Sequence, residues 1–134
     1  MKQMFIVGHG GPEKLQLRQS PDPSPSQGEV RIRVRASGIN FADILARQGL
    51  YPDAPRIPCV VGYEVSGTVD AVGPGSGQSW IDRDVFALTC FGGYSDVVVV
   101  PEKHVFPTRF PTNRPRQSQL TTSLRGSCSW SWAR

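Results

Sequence analysis

Over residues 1–107 the apolar residues recur mostly with a period of two, and glycine or proline interrupts them at short intervals. A chain written this way folds into short strands rather than long helices, so the expected class is mainly β. Residues 29–36 are the clearest case. Val30, Ile32 and Val34 fall on one face and Arg31, Arg33 and Arg35 on the other, which predicts a half-buried strand. Residues 4–7 and 14–18 flank the turn Gly10-Gly11-Pro12-Glu13 and predict an opening hairpin or meander. Pro21, Pro23 and Pro25, spaced by polar residues, predict a stiff extended connector. Further strands are expected over residues 63–72, 85–88 and 94–100; the unbroken valines 97–100 suit burial on both faces. Residues 40–48 break the rhythm. Phe41, Ile44 and Leu45 stand at helical spacing, Asp43 is placed to pair with Arg47, and Gly49 stands where a C-terminal cap belongs, so a short helix is expected.

With 134 residues, of which 38% are hydrophobic, the chain can bury one sizeable core but hardly two. Its net charge of +4 is unevenly placed: residues 1–107 carry all 11 acids against 3 Lys and 7 Arg, while residues 108–134 carry 5 Arg and no acid. The high pI therefore does not describe a basic surface on the folded part. Cys59, Cys90 and Cys128 are too widely spaced for a CxxC pair or a disulfide framework and read as free thiols. His9 and His104 have no neighbouring cysteines to complete a zinc set. Gly8-His9-Gly10-Gly11 follows an apolar strand, yet Pro12 and the alternating segment after it supply no helix whose N-terminus would receive a pyrophosphate, so it reads as a turn. No apolar run approaches a membrane span and the Met1 end lacks a signal-peptide layout, which makes a cytoplasmic protein the expectation.

The middle of the chain carries a resemblance. Ala36-Ser37-Gly38-Ile39-Asn40-Phe41-Ala42-Asp43, Arg47-Gln48-Gly49-Leu50-Tyr51-Pro52, Pro58, Gly62-Tyr63-Glu64-Val65-Ser66-Gly67-Thr68-Val69 and Val72-Gly73 form a series, together with the opening Gly10-Gly11-Pro12-Glu13 and the later Gly92-Gly93-Tyr94-Ser95. Over nearly all of residues 1–107 this series resembles the N-terminal catalytic domain of the medium-chain dehydrogenase/reductase superfamily. The branch it is most similar to is that of the zinc-independent quinone oxidoreductases and their vesicle amine transport protein-like relatives. The resemblance implies a GroES-like partial β-barrel with short helices. Zinc-containing alcohol dehydrogenases of this superfamily carry Cys in a Gly-x-Cys-x-x-Asp motif and His in Gly-His-Glu; here Asn40 and Tyr63 stand at those positions, and Glu64 alone cannot hold zinc. No metal is expected.

The same resemblance implies NADPH as the family's cofactor and a small quinone or enone as substrate. It places Asn40 and Tyr51 as catalytic donors to the substrate oxygen, and Asn40, Phe41 and Tyr63 against the cofactor. On residue chemistry alone, Asn40 serves equally as a helix cap and Tyr51 as a packed loop aromatic. Asp43 and Glu64 read as structural hydrogen-bonding residues, and Tyr63 as lining a cleft rather than ionising. Relatives continue past the equivalent of Val105-Phe106-Pro107 into a nucleotide-binding domain, whereas residues 108–134 turn to Arg, Ser, Thr, Pro and Gln. The expectation is a domain over 1–107 and a non-homologous, disordered basic tail over 108–134, as a frameshift or an alternative exon would produce. Such a chain would bind no cofactor by itself and be inactive alone, or serve as a non-catalytic binding module. Five Arg in the tail are too sparse to predict specific nucleic-acid binding. Ile81-Asp82-Arg83-Asp84-Val85 departs from the relatives' Val-Gly-Asp-Arg-Val, which puts its tight turn in question.

Overall fold

A computed structural model describes residues 1–108 and the backbone of Trp130–Ser131. The alternating segments become strands. β1 (Lys2–Ile6) and β2 (Leu15–Gln19) form an antiparallel pair with Ile6 opposite Leu15, joined by a loop that ends in a 3-10 turn at Pro12–Lys14. β3 (Glu29–Ser37), β4 (Glu64–Val72), β5 (Asp84–Leu88), β6 (Val97–Pro101) and β7 (Val105–Pro107) make a second sheet in the order β6-β3-β4-β5-β7. Every named pairing within it is antiparallel. The result is the expected mainly β, partial-barrel fold, with one short α-helix among the described residues.

The core follows from the pleat. Val30, Ile32 and Val34 of β3 meet Val65 and Val69 of β4, Val85 and Ala87 of β5, Val98 and Val100 of β6, and Val105 of β7. Full burial of each valine stabilises by about 1.5–3 kcal/mol. The opposite face of β3 is electrostatically closed. Arg31 and Arg33 both bind Asp70, at 2.8 and 2.6 Å, Arg33 also reaches Asp22, and Arg35 reaches Asp84. The arginine row is thus matched by acids of the same domain rather than presented to a phosphate backbone.

Four details differ from the sequence reading. Residues 94–96 do not continue β6; they pair with β1, through Met4 N–H to the Tyr94 carbonyl and Asp96 N–H to the Lys2 carbonyl, so one bent segment stitches the two sheets. β7 was not anticipated, because its three residues, Val-Phe-Pro, are too short for a periodic signal. Asp82 occupies φ 61°, so the turn survives the missing glycine with an aspartate in the left-handed region. Within the tail, the backbone of Trp130–Ser131 forms β8, antiparallel to Ala36 and Ser37 of β3. The expectation of a disordered tail otherwise lies outside the described residues, as does Cys128.

Candidate functional site

The helix that interrupts the strands positions the site. α1 (Phe41–Gln48) starts at Asn40, in extended backbone, and ends at Gly49, whose φ of 78° is the left-handed turn that glycine takes without strain. Its buried residues are Asp43 and Ala46, whereas Phe41 is 71% exposed and Ile44 38%. The apolar spacing located the helix but pointed to the wrong face.

The expected Asp43–Arg47 pair is not formed. Asp43 turns inward: Oδ2 accepts the Asn40 N–H and the Tyr94 hydroxyl, each at 2.8 Å, and Oδ1 accepts the Gly62 N–H at 3.0 Å. Arg47 instead donates to the Gly10 carbonyl, while Gly10 N–H donates back to the Arg47 carbonyl at 3.0 Å. Asp43 therefore ties the start of α1 to the segment that enters β4, and Arg47 ties its end to the loop after β1. Gly62, at φ 106°, permits a third close approach: a Cβ there would lie 2.9 Å from the Gly93 Cα, and Thr89 donates to the Gly62 carbonyl at 2.7 Å.

Between these ties lies an aromatic cluster. Tyr63 stands edge-on to Tyr51 with ring centroids 6.4 Å apart, and Phe91 packs against Tyr63 at 5.3 Å. Tyr51, Phe91 and Tyr94 all rest on the small core of Ile6, Ala46, Cys59 and Val61. The Tyr63 hydroxyl is buried and has no hydrogen-bond partner among the described residues. Burial, and next the adjoining Tyr51 hydroxyl, raise its pKa well above the usual phenol range, so it remains a neutral donor. Burial and the Asp43 carboxylate do the same for Tyr94.

The sequence-predicted residues divide accordingly. Tyr51 and Tyr63 are brought together. Asn40 sits at the helix cap, in a capping-box arrangement that engages at most its carbonyl oxygen and leaves the amide NH₂ to donate. Phe41 follows it with an open ring face. Asp43 is the structural hydrogen-bonding residue expected. Glu64 lies against Gly38, where a Cβ would come within 2.1 Å of its carboxylate. Phe91 and Tyr94 were missed as parts of the site, since only the closeness of Gly62 to Gly93, invisible in a linear pattern, carries them there.

Beside Tyr51 an open groove of about 470 Å³ runs along the end of α1, lined by residues that include His9, Pro52, Pro55, Arg56 and Ile57. Among the described residues there is no cluster of three or more His, Cys, Asp or Glu side chains able to hold a metal. No helix there is long and apolar enough to cross a membrane.

Comparison with known proteins places this geometry in context. Residues 26–110 match the family described as the alcohol dehydrogenase GroES-like domain. The chain is 38% identical over 108 residues to the synaptic vesicle membrane protein VAT-1 homolog of Mus musculus, covering 79% of this chain and 27% of the relative. It is 40% identical over 103 residues to a quinone oxidoreductase of Pseudomonas aeruginosa, covering 76% and 31%. Among solved structures, the Escherichia coli quinone oxidoreductase complexed with NADPH superimposes with a TM-score of 0.74 at 31% identity, over 80% of this chain and 33% of that one. The chain thus spans roughly a quarter to a third of the length of these relatives.

Proposed function

Because the chain belongs to the alcohol dehydrogenase GroES-like domain family, we propose that its described residues form the substrate side of a zinc-independent, NADPH-dependent quinone or enone reductase, working in the cytoplasm. The observation that carries this reading is the buried Tyr63 hydroxyl, which adjoins the Tyr51 hydroxyl yet forms no hydrogen bond of normal geometry with any described residue. A buried donor left this way costs about 1–3 kcal/mol unless something accepts from it. An acceptor on a cofactor bound beside Tyr51 would do so.

Asn40, the open ring of Phe41 and Tyr63 suit the nicotinamide end of the cofactor, a flat ring with a carboxamide. The loop after β1 leads into a 3-10 turn and a strand rather than a helix, so that loop offers the dinucleotide phosphates no helix N-terminus. When bound, the cofactor supplies the hydride. The chain's own part is electrostatic. Negative charge builds on the substrate oxygen, and the Asn40 amide and Tyr51 hydroxyl donate to it from positions fixed in advance by Asp43 and the aromatic cluster. Phe91, packed against Tyr63, helps to keep water from that oxygen.

The test is a fusion of residues 1–107 to the nucleotide-binding domain of a quinone oxidoreductase, assayed for quinone-dependent NADPH oxidation. Turnover insensitive to chelators is expected, and Asn40→Ala should lower kcat about a hundredfold while costing about 1 kcal/mol of stability as a lost cap. Residues 1–134 by themselves should neither oxidise NADPH nor bind it saturably. A zinc requirement, or unchanged turnover in Asn40→Ala, would overturn the assignment.

A further inference from the structure

The groove beside Tyr51 has a polarity that the reductase reading does not use. Its walls are apolar at Pro52, Pro55 and Ile57, and among the described residues no acid lines it and its charged lining group is Arg56. Arg56 is exposed and makes no ion pair or hydrogen bond with any described residue. Asp53, on the same loop, is exposed and lies outside the lining. His9 also lines it, and its Nδ1 would be 2.8 Å from a Cβ at position 49. The imidazole is thus seated over Gly49, and the reciprocal Gly10–Arg47 bonds hold its loop in place.

Carbonyls at the end of a helix ordinarily repel an anion. Here those of Leu45, Ala46 and Arg47 are already occupied by the N–H groups of Leu50, Gly49 and Gly10. What remains facing the groove is a guanidinium fork, an imidazole and apolar walls, a set suited to a planar organic anion.

We propose that the groove selects an anionic substrate: a quinone or enone whose ring lies by Tyr51 and whose carboxylate, sulfonate or phosphate substituent is held by Arg56 with His9. This rests on the reading of Tyr51 as a substrate contact. It assigns the substrate class, which that reading left open. The volume of about 470 Å³ accommodates a two- or three-ring compound of this kind.

Equilibrium dialysis of residues 1–134 at low salt provides the test, with anthraquinone-2-sulfonate and its neutral analogue 2-(hydroxymethyl)anthraquinone as probes. Ring fusion blocks addition of the exposed Cys90 thiol to either compound. Benzenesulfonate serves as the blank for the arginines of the tail. The sulfonated quinone should bind about tenfold more tightly than the neutral one. Arg56→Gln, at an exposed position, should reduce it to the neutral compound's affinity and leave that affinity unchanged. Equal binding of the two quinones, a preference that survives Arg56→Gln, or benzenesulfonate binding as tightly as the sulfonated quinone would overturn the anion selectivity while leaving the reductase reading in place. Retention of neither quinone would overturn both.

Discussion

At position 43 one buried carboxylate accepts hydrogen bonds from the cap of α1, from the Gly62 backbone and from Tyr94. An exposed i,i+4 pair with Arg47 contributes about 0.3–0.5 kcal/mol, whereas each charge-assisted bond contributes about 1.5–3 kcal/mol. That difference explains why the pairing expected from spacing gives way to the inward arrangement. Asp43→Ala should therefore cost about 3–5 kcal/mol, read as a lower urea midpoint at unchanged m, whereas Arg47→Ala should cost less than half as much. The tyrosines give a pH signature. Tyr63 and Tyr94 have folded-state values above the unfolded value of 10.0. Their contribution to stability is therefore complete below pH 10 and is lost as pH rises beyond it. Phenolate absorbance should show these two rings ionising only as the chain unfolds in alkali, while Tyr63→Phe should flatten the decline in stability above pH 10.

Most elements were legible in the sequence because alternation and glycine placement are local signals. β3, β4 and β5, the opening pair and α1 with its Gly49 cap all stand within a residue or two of where the pattern puts them. The inward face of α1 was not legible. Its Phe41 and Ile44 are apolar yet exposed, and the burial of Asp43 is decided by donors that arrive from residues 62 and 94. For the same reason Asn40, Tyr51 and Tyr63 were nameable from motifs, while Phe91 was not. The approach of Gly62 to Gly93 joins these elements, and it makes a sharp prediction. Gly62→Ala would need a side chain at φ 106° within 2.9 Å of backbone, and should cost about 3 kcal/mol or more, measured as a depressed Tm. Gly28→Ala shares a positive φ but has nothing within 4 Å, and should cost about 1 kcal/mol.

For the described molecule as a whole, two surfaces differ in kind. The outer face of β5 and β7 exposes Leu88 and Phe106, each 47% accessible, with Phe86 6.5 Å from Phe106. Such an apolar patch promotes association. Leu88→Lys with Phe106→Ser should reduce self-association in light scattering and shift stability by less than about 1 kcal/mol. The other surface, the aromatic cluster with its unpartnered hydroxyl, bears the functional account. Its most direct test is an NMR titration of residues 1–134, isotopically labelled in the tyrosine rings, with a neutral ring-blocked quinone. The account predicts saturable shifts of the Tyr51 and Tyr63 ring signals, with Tyr94, engaged by Asp43, left in place. Tyr51 and Tyr63 signals that stay fixed, or that move only together with Tyr94, would contradict it.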